Sequence, residues 1–274
     1  MMQYIDLTSP DPGWNLTLDE SLLEICEMGG SEVLRVWESA SYFIVMGLSG
    51  REEREVHLVA CRRDGIPILR RKTGGGTVLQ GPGCLNYTLV LRKDRDPALS
   101  RIDTTHAYCL DRLAQRLRSM QPAIRRDGIS DLTLEGKKFS GNAQRRLRRA
   151  ILYHGTLLYD FDRERVERYL KEPERQPDYR MHRSHRTFLR NLEISPESLK
   201  KILLQEWNGS GNLYFTLSTN GYYEFWPGGW DIPGATVGSP SEQGKRRRRT
   251  ARASEGRMPK RAASGRDVPT SRPP

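Results

Sequence analysis

The stretch Arg70-Arg71-Lys72-Thr73-Gly74-Gly75-Gly76-Thr77-Val78-Leu79 lies between two apolar strand signals, Ile66–Arg70 and Leu85–Leu91. Three successive glycines let a backbone come close to a ligand and turn its N–H groups toward it. Three flanking cations call for an anion, so the stretch reads as a phosphate or carboxylate cradle on an exposed loop. It is not a P-loop, because no Gly-Lys-Ser/Thr follows at the required spacing. It is not a dinucleotide fingerprint either, since the Gly-x-Gly-x-x-Gly order and the following helix are missing. A plain hairpin turn needs one or two glycines, not three.

Around this loop, strand and helix signals alternate over residues 1 to about 235. Tyr4–Leu7 reads as a short strand. Asn15 is placed to cap a helix whose apolar stripe includes Leu18, Leu22 and Cys26, with Gly29-Gly30 as its stop. Val33–Trp37 and Tyr42–Gly47 read as paired strands across Glu38–Ser41. Glu53–Arg63 is helical up to Gly65, and Thr104–Arg118 is an amphipathic helix. Asp131–Leu134 and Lys137–Gly141 form a hairpin signal across Glu135-Gly136. Ala150–Leu158 is strongly β, Asp162 starts a helix that runs through Leu170, Pro196–Trp207 is a helix, and Asn212–Trp226 suggests a terminal hairpin. Strands outnumber βαβ units. The expected fold is α+β, a mixed, largely antiparallel central sheet flanked by helices.

Composition narrows the class. No window approaches 18 uncharged apolar residues, which argues against a membrane span. The first residues, with neither a basic start nor an apolar run, do not read as a secretory signal. Cys26, Cys61, Cys84 and Cys109 are far apart with no Cys-x-x-Cys, which fits a reducing cytoplasm better than a disulfide framework or a metal site. Of the net charge of +11, residues 236–274 carry +8 from eleven Lys/Arg and three acids. The expected division is a catalytic domain over 1–235 and a basic tail over 236–274. The tail has too little apolar surface to fold and is expected to be disordered. Its block Lys245–Arg249 reads as a solvated segment rather than a nucleic-acid contact, because a charge run alone is weak evidence.

Two further segments carry chemistry. In Lys137-Lys138-Phe139-Ser140-Gly141-Asn142-Ala143-Gln144 the two lysines face opposite ways in a strand. One can therefore enter a pocket beside small residues while the other is solvated. In Tyr153-His154-Gly155-Thr156-Leu157-Leu158 the glycine hints at a close approach beside the histidine. Taken together, Arg70–Val78, Gly81-Pro82-Gly83-x-Leu85-Asn86-Tyr87, Asp131-Leu132, Lys138-x-Ser140–Gln144 and His154–Leu158 resemble the catalytic domain of the lipoate–protein ligase A family, among the biotin and lipoate protein ligases. Asn15-Leu16-x-Leu18-Asp19-Glu20 and Ser184–Leu192 match more weakly. The likeness spans residues 1–210.

The resemblance implies that lipoate, or octanoate, reacts with ATP to give an acyl-adenylate, with Mg2+ carried on the nucleotide. The acyl group then passes to a lysine of a lipoyl domain. Such acceptors belong to a 2-oxoacid dehydrogenase acyltransferase subunit or a glycine-cleavage H-type protein. On this reading Arg71 holds phosphate oxygens, with Arg70 and Lys72 as weaker candidates. The N–H groups of Gly75, Gly76, Thr77, Val78 and Leu79 wrap the nucleotide and acyl-phosphate. Lys138 is the catalytic residue and contacts the lipoyl carbonyl and the α-phosphate. A fixed cation there stabilises charge developing on attack. His154 lines the same pocket, and the strand before Gly47 together with Leu79 supplies an apolar slot for the acyl chain.

The sequence departs from the family pattern at Gln80, commonly His, and at Cys84, commonly an acid or amide. The accessory C-terminal domain of the long ligases is expected to be absent, which implies a separate accessory subunit for adenylation. A sister group transfers octanoyl or lipoyl groups through a cysteine thioester without ATP. The region where it keeps that nucleophile, Met120–Asp127, has no cysteine here, so transferase activity ranks second. Biotin ligation ranks lower, because those enzymes carry a Gly-Arg-Gly-Arg type loop. A non-catalytic binding protein with a nucleic-acid-binding tail is the remaining alternative.

Overall fold

The computed structural model describes residues 2–207, 209–212, 215–217 and 223–225. By internal contacts the chain parts into Met1–Asp231 and Ile232–Pro274, and every described element lies in the first unit. The basic stretch 236–274 lies outside the described residues.

The chain begins with β1 (Met2–Asp6), α1 (Pro12–Glu27), β2 (Val33–Trp37), β3 (Phe43–Met46), α2 (Glu52–Glu55), α3 (Leu58–Asp64), β4 (Ile68–Arg70), β5 (Val78–Gln80) and β6 (Cys84–Arg92). There follow α4 (Ile102–Arg118), β7 (Ile124–Asp127), β8 (Asp131–Leu134), β9 (Lys137–Arg146), β10 (Ala150–Leu158) and α5 (Glu164–Tyr169). The last are α6 (His185–Phe188), α7 (Pro196–Trp207), β11 (Gly209–Asn212), β12 (Phe215–Leu217) and β13 (Tyr223–Phe225).

Eight strands make one sheet in the order β11-β1-β2-β6-β10-β9-β8-β7. β1 runs parallel to β2 and β11, and the other neighbours are antiparallel. This is the mixed, largely antiparallel α+β architecture. One face of the sheet, with Leu89, Ile151, Tyr153 and Leu132, packs on Leu110, Leu113 and Leu117 of α4 and Leu199 and Leu203 of α7. The other, with Ile5, Val33, Val90 and Leu152, packs on Leu22, Leu23 and Cys26 of α1. Among the described residues no helix is long and apolar enough to cross a membrane.

The expected pairing of Val33–Trp37 with Tyr42–Gly47 is corrected. All five residues of β2 are buried, and its two edges are taken by β1 and β6. A strand with both edges filled has none left for a hairpin partner, so β3 builds a second sheet, β4-β3-β5. The Asn15 cap is corrected as well. Asp11 Oδ1 accepts from Gly13 N at 2.8 Å, with proline at the first helical position, the usual place for it. Residues 53–63 form two short helices rather than one. Between them Val56 is extended and bridges to Leu170, and His57 N donates to Tyr169 O at 2.8 Å. Ala150–Leu158 and Pro196–Trp207 coincide with β10 and α7, and β12 pairs with β13 as the expected hairpin.

Candidate active site

The glycine loop joins β4 to β5, the two strands that flank β3. Arg71 is folded into it. Its Nε donates to Thr73 Oγ1 at 2.8 Å, its Nη2 to Gly74 O at 2.8 Å and Gly76 O at 2.9 Å, and its Nη1 to Val45 O at 3.2 Å. Thr73 O accepts from Leu48 N at 2.9 Å. Gly75 O lies 1.9 Å from where a Cβ would stand on Gly47, so only glycine fits there. In a planar trans peptide the N–H points opposite to the C=O. Carbonyls of Thr73, Gly74, Gly75 and Gly76 turned onto the protein body therefore turn the N–H groups of Gly74, Gly75, Gly76 and Thr77 the other way. Three glycines permit such a row of outward donors, which is a geometry suited to an anion. Arg71 is the strut of that row, with the guanidinium directed into the loop itself. Burial holds the Arg71 pKa down to about 10, which leaves it charged at neutral pH.

The other two cations are also engaged. Arg70 Nη1 donates to the carbonyls of Gly47, Leu48 and Gly50 at 3.0, 3.2 and 2.8 Å. Lys72 Nζ pairs with Glu20 at 2.5 Å. Thr77 Oγ1 donates to Glu55, and Val78 and Leu79 lie in the ladder opposite Val45 and Ile44. Leu79 joins Ile44 and Met46 in an apolar cluster beside the loop.

The loop is tied to the main sheet by His154 of β10. Its Nε2 and Thr73 Oγ1 share a hydrogen bond of 2.8 Å. Burial, followed by the nearby Arg71 cation, pushes the His154 imidazole down to about 3. It is thus a neutral partner throughout the physiological range. Behind the loop, Leu16, Glu20, Lys72, Thr73, Arg145 and His154 are among the residues lining a small cavity.

Lys138 reaches the same face of the sheet through a bulge. Leu132 pairs with Ser140, but Thr133 pairs with Lys138, so β9 carries Phe139 as an extra residue. A bulge re-aims a side chain relative to strict alternation. Asp131, opposite Gly141, shares a face with Thr133, opposite Lys138. Gly141 precedes Asn142, which pairs with Gly155, just as His154 pairs with Ala143. Gly141 and His154 therefore share a face, and Lys138 joins them. Lys138 Nζ pairs with Asp131 Oδ1 at 2.8 Å, over the space that a side chain on Gly141 would fill. Ser140 and Asn142 turn to the opposite face. There Asn142 Nδ2 donates to Ser140 Oγ at 3.1 Å and Ser130 O at 2.8 Å, and Tyr87 OH donates to Asn142 Oδ1 at 2.5 Å.

Sequence reading named the loop, Lys138 and His154; the register places Lys138 and His154 on one face, and the Thr73–His154 hydrogen bond ties the loop to it. It missed Asp131 as the lysine's counter-ion, the Tyr179 hydroxyl on Asp131 Oδ2 at 2.6 Å, and Glu20 as the partner of Lys72. It also missed Arg35, which is fully buried and donates to Asp19 Oδ1 at 2.6 Å and Asn15 Oδ1 at 2.7 Å. The Asn15-x-x-x-Asp19-Glu20 spacing was the available signal. Asn15 and Asp19 take Arg35, while Glu20, one residue on, faces the loop.

A sequence model of the lipoyl protein ligase A/B catalytic domain matches residues 11–207. The Mycoplasma pneumoniae protein named "Probable lipoate-protein ligase A" is 33% identical over 173 residues, 62% of this chain and 49% of its own length. Octanoyltransferase LipM of Geobacillus kaustophilus is 28% identical over 207 residues, 66% of this chain and 73% of that protein. The crystal structure of a lipoate-protein ligase A bound with ATP superposes with a TM-score of 0.65 at 22% identity, covering 76% of this chain and 85% of that one. A bi-partite lipoate protein ligase from Thermoplasma acidophilum, analysed with its E2 lipoyl domain, gives 0.63 at 22% identity over 75% and 82%. These two likenesses show a shared fold. The chain spans about half the length of the Mycoplasma relative. With the family model covering most of the chain, it belongs to the lipoyl protein ligase A/B catalytic-domain family.

Proposed function

We propose that the protein activates lipoate or octanoate with ATP and transfers the acyl group from the acyl-adenylate to a lysine of a lipoyl domain. The observation that carries this reading is that Lys138 stands on the sheet face to which His154 ties the glycine loop through Thr73. An acyl-adenylate forms when a carboxylate oxygen attacks the α-phosphorus and pyrophosphate leaves. Negative charge builds on the phosphate oxygens in that step. Outward N–H groups of the loop and a fixed ammonium are donors suited to it, and such preorganised donors supply most of the rate enhancement in many enzymes. In the second step the acceptor amine attacks the acyl carbonyl and AMP leaves. Lys138, as a point charge with three donors, can face carbonyl and phosphate oxygens together. Magnesium would arrive on the nucleotide's phosphates.

The ATP-bound ligase and the ligase with an E2 lipoyl domain, both of the same fold, support the nucleotide and the acceptor class. The likeness to Octanoyltransferase LipM supports a second reading, acyl transfer without ATP. A thioester route needs an accessible thiolate. Cys26, Cys61, Cys84 and Cys109 are all buried, and burial raises the pKa of each thiol, that of Cys26 to about 11. That supports the ligase over the transferase.

The test is incubation of the pure protein with ATP, lipoate or octanoate, and a lipoyl domain, read by mass spectrometry. The expected result is an acyl gain on the domain that needs ATP. Gain from an acylated carrier protein without ATP would replace the ligase with the transferase. Acyl-adenylate that forms without transfer until a second subunit is added would restrict this chain to the first step.

A further inference from the structure

Asp131 is only 7% exposed, and its two oxygens are shared between Lys138 Nζ and the phenol of Tyr179. Tyr179 comes from elsewhere in the chain, on the segment between α5 and α6 that laps over the hairpin carrying Lys138. Several unrelated contacts hold it there. Its ring packs on Phe188 with centroids 5.3 Å apart, and a Cβ on Gly128, at φ +57, would stand 3.3 Å from that ring. Arg183 Nη2 donates both to Tyr179 O at 2.6 Å and to Gly136 O in the β8–β9 turn at 3.0 Å. Arg190 N donates to Lys138 O at 2.9 Å. The short turn Asp178–Arg180 ends in Met181 and His182 at φ +50 and +53. Left-handed backbone at two non-glycine residues is strained, and such strain persists only where the surroundings enforce it.

We infer that Tyr179 is a positioning residue: its hydroxyl fixes Asp131 so that the other carboxylate oxygen holds the Lys138 ammonium over Gly141. This deepens the ligase reading and rests on it. A buried carboxylate with one oxygen anchored can offer the other in one direction only. Reactant oxygens then meet an ammonium already placed, and the hydrogen bond to Asp131 is exchanged for one to the reactants. Without the phenol the carboxylate can rotate, and the ammonium follows it. Burial together with the Asp131 charge holds the Tyr179 hydroxyl protonated, far above the ordinary phenol range, so it remains a donor at every working pH.

The test compares wild type, Tyr179→Phe, Asp131→Asn and the double variant. Tyr179→Phe keeps the ring against Phe188, so its melting temperature should stay within about 2 °C of wild type. In lipoate-dependent ATP–pyrophosphate exchange, kcat should fall about tenfold with KM for both substrates within about twofold, as for one hydrogen bond to a charged group. The double variant should be no slower than Asp131→Asn, because the phenol acts only through that carboxylate. A second readout does not depend on ligase activity: labelling of lysines by an amine-reactive ester, resolved by peptide mass spectrometry with the exposed Lys137 as internal reference. The Lys138-to-Lys137 labelling ratio should rise about threefold in Tyr179→Phe, as an amine no longer held against Asp131 swings out to meet the reagent more often. An unchanged ratio, or additive losses in the double variant, overturns the inference. A raised ratio in a protein whose wild type forms no acyl-adenylate would instead overturn the ligase reading and uphold the placement of Lys138 by Tyr179.

Discussion

Lys138 and His154 sit on one face of the same sheet, yet opposite physics governs them. The lysine pairs with a carboxylate at 2.8 Å, while the histidine is held neutral by burial and by a neighbouring cation. On the ligase reading Lys138→Ala should abolish adenylate formation, a loss of about 100-fold or more, in a protein that still folds. Activity near wild type would remove the lysine from the chemistry. His154 has a different signature. An unfolded histidine titrates near about 6.5, whereas the folded one titrates near about 3. Between those values the unfolded chain binds a proton that the folded protein refuses, so stability is lost as pH falls below about 6.5, at up to about 1.4 kcal/mol per pH unit. His154→Gln should flatten that dependence in denaturant titrations between about pH 7 and about pH 4. Parallel slopes in the two proteins would show that another group is responsible. These two residues were legible because each stands beside a glycine or a small residue in a recognisable string. Asp131 as counter-ion and Tyr179 as its anchor were not, since 48 residues separate that pair and no local spacing relates them.

Among the elements, the glycine loop is set by what it rests on as much as by its own glycines. A methyl on Gly47 would meet Gly75 O at 1.9 Å, and both atoms belong to the backbone or are fixed to it. Gly47→Ala should cost about 1–3 kcal/mol and displace the loop, with loss of the proposed activity. Gly141→Ala is the contrasting case. Its methyl would meet Lys138 Nζ at 2.8 Å, the end of a flexible side chain that can move aside. Stability should change by less than about 1 kcal/mol, while activity falls because the ammonium is displaced. Equal stability losses for the two variants would contradict this distinction. β10 and α7 were readable to their end residues, since each shows one period between clear stops. The destination of β3 was not. Four residues between two apolar runs look like a turn, and only the occupied edges of β2 show that the chain must leave the first sheet.

For the molecule as a whole, a buried polar knot fastens α1 to the main sheet. Arg35 reaches Asn15, Asp19 and the carbonyl of Leu7, Thr88 Oγ1 donates to Asp19 Oδ2 at 2.7 Å, and the guanidinium lies 5.2 Å from the Trp37 ring centroid. Removing one partner of a buried ion pair leaves an uncompensated charge, so Asp19→Ala should cost about 3–5 kcal/mol, measurable by urea unfolding. A loss below about 1 kcal/mol would mean that water reaches Arg35. Fold class was readable from the number and order of strands, but this knot was not, because a lone arginine in an apolar strand gives no hint of its partners. The bulge at Phe139 reaches further still. One residue inserted into β8 after Leu132 would let the two strands match one for one and would rotate Lys138 onto the side roofed by α4. Every signature string would survive in that variant, letter for letter, and its amine would be shut away from the face that carries His154. Membership by signature and competence as a catalyst are therefore separable in such chains, and the length of a neighbouring strand is where a silent copy would differ from a working one.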